Sequence, residues 1–219
     1  MIVKKNTLSE DYKFQKGNLS FAVVGHIEWM EFLRVDGLPK PGHISHSEKS
    51  IELPAGAGAV IAKTLRELTV NDVHFFTSLG NDHYGKKSFE MLSSMGIELH
   101  VAWREKPTRR GFSLIDFEGE RSITVIGERL SPIHTDSLDW DILQKMDGIF
   151  ITAADSWIFK KARIAGTLCT TPRAGLDTIN KSNVFLDGLI GSNLDPGEKF
   201  SFSQLSTEPR YTIKTEGEQ

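Results

Sequence analysis

Apolar residues along the chain switch between two periods, and the switch points outline the fold. The run at 21–25, Phe-Ala-Val-Val-Gly, is short, continuous and closed by glycine, as expected of a strand buried on both faces. From 55 to 68, Val60, Ile61, Thr64, Leu65 and Leu68 recur at three and four residues, predicting a helix that opens from a glycine-bearing loop. A second strand follows at 73–79, a second helix at 84–95 with Phe89, Leu92 and Met95 turned inward, and a third strand at 99–102. Strand and helix alternate, so the sheet should be parallel. The first twenty residues are polar and weakly patterned, and the stretch ahead of residue 55 reads as a loop rich in turn formers, Pro39, Pro41 and Gly42.

Between 108 and 127 the pattern becomes β-rich. Two runs, 111–117 and 121–126, flank Glu118-Gly119-Glu120 and predict a hairpin with a glycine turn. The alternation resumes in segments 137–146, 148–152, 158–167, 174–177, 184–190 and 211–214. No repeat, low-complexity tract or Gly/Ser linker divides the chain, so a single domain over 1–219 is expected.

Composition narrows the function classes. With 26 Lys plus Arg against 29 Asp plus Glu, the net charge of −3 supplies no basic field for nucleic acid or an anionic membrane. The single cysteine, Cys169, cannot form an internal disulfide or a thiolate metal site, which is the usage expected of a cytoplasmic chain. Neither a signal-peptide run at the N-terminus nor a stretch of membrane-spanning length is apparent.

Three motifs invite chemistry. Gly80-Asn81-Asp82-His83-Tyr84-Gly85-Lys86-Lys87-Ser88 nearly matches a P-loop, which would make Lys86 a phosphate ligand of an NTPase. However, Lys87 stands where the magnesium-holding hydroxyl belongs, and Asp82 puts a carboxylate where phosphate needs free amides, so a tight turn orienting the next helix is the better expectation. Gly56 and Gly58 open a helix and either admit a hydroxyl-rich ligand to its free amides or let helix and sheet pack closely. His43 and His46 are near neighbours in a loop without a cysteine, a weak basis for a metal.

Taken in order, these pieces resemble the PfkB/ribokinase family of carbohydrate kinases. The resemblance rests on the strand ending at Gly25 followed by Glu28, Leu38-Pro39-Lys40-Pro41-Gly42, the glycine pair before a helix, Leu79 to Gly85, Met95-Gly96-Ile97, Arg109-Arg110-Gly111-Phe112 and Glu118-Gly119-Glu120-Arg121. It implies a three-layer α/β/α sandwich with a mostly parallel sheet and a small β lid, the 108–127 hairpin, over a sugar or nucleoside site at the sheet's carboxyl edge. It also implies transfer of the ATP γ-phosphoryl group to a substrate hydroxyl with Mg2+, and pairing of two copies through the lid. Carried over residue by residue, Glu28, Gly56, Gly58, Arg110, Arg121 and Asp155 would bind substrate. Asn193, Thr215 and Gly217 would lie beside the nucleotide, and Asp195 and Glu198 beside magnesium.

The departures matter as much. Ala55, Ala57 and Val60 replace the glycine, lysine and asparagine of the family's usual G-G-K-G-x-N, and Pro196 stands where its N-x-x-E motif places glutamate. The sequence contains no G-A-G-D, the segment that brings the family's general-base aspartate and its anion hole. Phosphoryl transfer works by positioning, charge neutralisation and deprotonation, so this 219-residue chain is expected to be a partial kinase domain, inactive alone and without a catalytic residue of its own. A non-catalytic sugar or nucleoside binder is the alternative from another class.

Overall fold

The computed structural model describes residues 19–216, and the polar segment ahead of them lies outside the described residues. β1 (Ser20–Val24), β4 (Asp72–Gly80), β5 (Glu98–Arg104), β8 (Gly148–Ile151), β9 (Thr167–Thr170), β10 (Gly188–Ser192) and β11 (Tyr211–Thr215) form one parallel sheet in the order β11-β10-β9-β8-β1-β4-β5. From β1 the chain builds outward through β4 to β5, then returns to β1's other side with β8 and continues to β11. The order therefore reverses between β1 and β8, the place where open α/β sheets leave a crevice beyond their carboxyl ends.

Alternation within each strand feeds two cores. Val23, Val73, Phe75 and Leu79 meet α1 (Gly56–Leu68) and α2 (His83–Ser94), whose Ala59, Ala62 and Leu92 are buried against them. Ala22, Val24 and Phe76 point the other way, into a larger cluster with Ile158, Phe159 and Ile179 of α3 (Ser156–Ala162) and α4 (Leu176–Ser182). Helices thus cover both faces of the sheet, and the expected three layers are present. Among the described residues, no helix is long and apolar enough to cross a membrane.

The lid is larger than the sequence pattern suggested. Its strands are ordered β3-β2-β6-β7, with β2 (Glu28–Val35), β3 (Ser47–Ala55), β6 (Arg110–Ile115) and β7 (Arg121–Ile126). The hairpin is found as expected, with Ile115 opposite Arg121 and Gly119 at a φ of 88°. β2 and β3 replace most of the expected loop; only the turn around Pro39, Pro41 and Gly42 remains one. Apolar residues occupy both faces of β2 because one meets the crevice and the other α2, and β3 is mostly exposed and polar, so neither shows a clean period of two.

Other expectations shift by physical detail. In α2 the stripe facing the sheet is Gly85, Ser88 and Leu92, whereas Phe89 and Met95 are exposed, Phe89 leaning on Trp103. Segment 137–146 contains a 3-10 turn, Trp140–Lys145, capped by Asp139. Segment 158–167 divides into the end of α3 and the start of β9, and residues 174–177 lead into α4.

Candidate functional site

A cavity of 570 Å3 opens at the switch point, between the carboxyl ends of the sheet strands and the inner face of the lid. Its floor holds His26, just beyond β1, with Thr152 at the end of β8 and Thr171 after β9. Gly25 permits this junction: a Cβ there would lie 1.9 Å from Thr152 Oγ1. Gly56 enters α1 at a φ of 81°, a conformation that side chains resist, and exposes the start of that helix to the cavity.

Lid register decides which side chains look inward. Met30 pairs with Gly111, which pairs with Val125, while Trp29 pairs with Arg110. Partners in register share a face and successive residues alternate, so Glu28, Met30, Phe32, Arg121, Ile123 and Val125 line the cavity. Arg110 turns the other way, onto α2, with its guanidinium over the Tyr84 ring and 3.1 Å from the Tyr84 hydroxyl. Arg109 takes the inward position and places Nε 3.3 Å from Glu28 Oε1.

Four arginines, Arg109, Arg121, Arg129 and Arg173, surround the cavity, opposed by Glu28 and Glu198 of its lining and by Asp195, which pairs with Arg173 from outside the lining. Burial and the nearby Arg109 guanidinium hold Arg129 below its ordinary range. Burial, reinforced by Arg129, Arg109 and Arg173, pushes His26 down to about 3, so its imidazole is neutral near pH 7. His26 Nδ1 and Thr152 Oγ1 are buried without a hydrogen-bond partner, and Arg109 Nε has only its ion pair with Glu28.

Of the substrate residues implied by the resemblance, the structure brings Glu28, Gly56 and Arg121 into the cavity. Gly58 lies beneath it, where an added Cβ would meet the His26 carbonyl oxygen at 2.7 Å and the Phe75 ring at 2.9 Å, so close helix–sheet packing accounts for it. Asp155 is outside, capping α3 through Trp157 N and Ile158 N and binding His134. Burial pushes its carboxyl up, but these hydrogen bonds outweigh it and hold Asp155 below the usual range. Sequence reasoning missed Arg109, Arg129, Arg173 and His26. Counting back two residues from the lid's Gly111 would have found Arg109, whereas nothing local marks Arg129 or Arg173.

A second cavity of 370 Å3 adjoins the first across Gly191 and Glu198, and adds Asn193, Lys199, Phe200 and Lys214. Thr215 borders the larger cavity, and Gly217 lies outside the described residues. Two lysines and an aromatic ring beside a strand end suit a nucleotide's phosphates and base. Magnesium is a different matter. Both Asp195 oxygens are engaged, Oδ2 by the Arg173 guanidinium and Oδ1 by Gly197 N. Glu198 accepts from Ser192 N at 2.6 Å and faces Arg173 at 3.4 Å. An octahedral ion needs free oxygens, and in this arrangement the pair does not fit one.

The near P-loop is a structural turn. Asp82 caps α2 by accepting from Gly85 N, and ties the lid's base to the sheet by accepting from Thr108 N and the Thr108 hydroxyl. A Cβ on Gly85 would strike the Gly80 carbonyl oxygen at 2.0 Å, so the glycine spacing serves packing. Lys86 is exposed on α2 and lines neither cavity.

Comparison with known proteins agrees with this geometry. No curated protein matches the chain by sequence. Among solved structures, ribokinase from Thermotoga maritima superposes with a TM-score of 0.61 at 23% identity, over 80% of this chain and 60% of its own. Arabidopsis thaliana ribokinase complexed with ribose and ATP gives 0.59 at 19%, over 81% and 61%. Escherichia coli phosphofructokinase-2 in complex with fructose-6-phosphate gives 0.62 at 9%, over 80% and 62%. The chain thus spans about three-fifths of the length of these relatives and shares their ribokinase-like fold. The model of the pfkB family carbohydrate kinases matches residues 18–164, two-thirds of the sequence, and the chain belongs to that family.

Proposed function

We propose that the chain carries the sugar-binding half of an ATP-dependent carbohydrate kinase, with the sugar or nucleoside in the larger cavity and the nucleotide beside it. The observation that carries this reading is the pair of buried, unpartnered polar atoms among the cavity's lining residues, His26 Nδ1 and Thr152 Oγ1. Such atoms are costly unless a ligand satisfies them, and a polyhydroxylated molecule offers donors and acceptors at sugar spacing. The flanking cavity, joined at Gly191 and Glu198, would put ATP next to that acceptor, and ATP would supply the phosphoryl group.

For the 219-residue polypeptide alone, binding without turnover is the expectation. Deprotonating an acceptor hydroxyl calls for a free carboxylate, and both cavity carboxylates are committed: Glu28 to Arg109, Glu198 to Arg173 and Ser192 N. The same commitment favours a sugar binder without transfer chemistry as the second reading. Pairing of two copies through the lid belongs to the proposal too, because β3 and β7 are its open edges and carry exposed Ile51 and Ile126.

The test is calorimetric titration of the chain with a panel of neutral sugars, sugar phosphates and nucleosides, with and without ATP. At least one sugar-class ligand should bind, and Arg109→Met should weaken it by roughly 1.5 to 3 kcal/mol, the value of a charge-assisted hydrogen bond. Arg110→Met should leave it unchanged. A panel without binders, or equal losses from both variants, would refute the assignment, and ATP-dependent phosphorylation by the chain alone would refute its inactivity.

A further inference from the structure

One cluster of ligating side chains lies apart from both cavities. In the parallel register of β4 and β5, His74 stands opposite Glu98 and Phe76 opposite His100, so His74, Glu98 and His100 occupy one face of two neighbouring strands. His74 Nδ1 and His100 Nε2 are 3.1 Å apart, Glu98 places Oε2 3.5 Å from the first and Oε1 3.6 Å from the second, and one carboxylate oxygen and the two nitrogens all lie within 4.8 Å of one another. Zinc bound tetrahedrally at 2.0–2.1 Å separates its ligand atoms by about 3.3 to 3.4 Å. The imidazole pair lies just inside that figure and each Glu98 oxygen just beyond it from one imidazole, so a rotation of the exposed carboxylate would bring one oxygen into the set.

The cluster is also held in place. The His100 ring stacks on Phe76 with centroids 4.1 Å apart and planes 8° from parallel, and Phe76 stacks in turn on Trp140. Both imidazole side chains are mostly buried, 13% and 15% exposed, whereas Glu98 is 62% exposed and leaves a route from solvent. Asp139 lies close enough to His100 to act on it electrostatically. Two imidazole nitrogens and a carboxylate are the donor set of a borderline transition metal, and a hard ion such as Mg2+ has little use for them.

We propose that His74, Glu98 and His100 bind a divalent transition-metal ion, zinc foremost, with water in the fourth position, and that the ion clamps edge strand β5 to β4. The role is structural, since none of the three residues lines either of the two cavities described above.

The experiment uses the whole 219-residue chain, stripped with chelator and titrated with Zn2+ by calorimetry and with Co2+ by visible absorption. One equivalent of each should bind, Co2+ should show the intense bands of a tetrahedral site, and excess Zn2+ should raise the melting temperature by roughly several degrees. Glu98→Gln, at an exposed position that leaves the metal-free melt unchanged, should weaken binding at least roughly tenfold, and His100→Gln should abolish it. Cys169→Ser and the exposed pair His43→Gln and His46→Gln should have no effect. No uptake, parent-like affinity in Glu98→Gln, or loss of binding in the Cys169 or His43/His46 variants would overturn the proposal.

Discussion

His26 should make the protein acid-labile well above the pH at which carboxylates titrate. The side chain is buried at the cavity floor, 5% exposed, and desolvation with three guanidinium groups lowers it from 6.5 to about 3. In the unfolded chain the same imidazole titrates near its ordinary value, so below about pH 6.5 the unfolded state binds more protons and stability falls with pH. The loss begins near the unfolded pKa and levels off only below the folded one. With those two values, linkage gives a loss of about 2 kcal/mol at about pH 5 relative to about pH 8. His26→Gln keeps a polar group and removes the titration. Urea unfolding of parent and variant at both pH values isolates the effect, because every other titrating group is common to the two. The parent should lose about 2 kcal/mol more than the variant between the two conditions. Equal pH dependence in both proteins would refute the assignment of a neutral, buried His26.

Three more outcomes are expected. Asp82→Ala removes the cap of α2 and both bonds to Thr108, and should cost roughly 1 to 3 kcal/mol in urea unfolding; an unchanged midpoint would contradict the structural role of that turn. Gly58→Ala drives a methyl against the His26 carbonyl oxygen and the Phe75 ring, and should destabilise by roughly 1 to 3 kcal/mol, measured by thermal melting. Lys86→Ala should leave nucleotide affinity and stability within about 0.5 kcal/mol of the parent, since its side chain is exposed on α2; loss of nucleotide binding would revive the P-loop reading.

The central sheet was legible because its strands are buried on both faces and their neighbouring helices carry a clear stripe. Val23 and Val24 point into different cores, and each core is apolar, so 21–25 had to be a continuous apolar run. The lid was half legible. β6 and β7 announce themselves through the Gly119 turn, whereas β2 faces a helix on one side and a ligand cavity on the other, and β3 lies mostly in solvent. Their one-dimensional patterns resemble a loop because the partners that cover β2 are distant in sequence. Likewise α4 is one short helix between Gly175 at a φ of 99° and Asn183 at 51°, too brief for periodicity to register.

The site separates two kinds of information. Motif order finds the neighbourhood: Glu28, Gly56, Arg121, Glu198 and Thr215 all border the larger cavity although they span most of the chain. Orientation needs register, and there one residue reverses the answer. Arg109 and Arg110 are identical in type and adjacent, yet pairing with Trp29 commits Arg110 to the α2 face and leaves Arg109 beside Glu28. With Arg121, Arg129 and Arg173 the cavity holds four cations, and Glu28, Glu198 and the Arg173-bound Asp195 offset three of those charges. A neutral sugar would satisfy the orphaned hydrogen-bonding atoms and leave the surplus charge unmatched. A phosphorylated or carboxylated sugar, or a nucleotide phosphate reaching in from the adjoining cavity, would satisfy both. Within the ligand panel, the salt dependence of binding therefore separates these cases: an anionic ligand should lose affinity as ionic strength rises, and a neutral one should not.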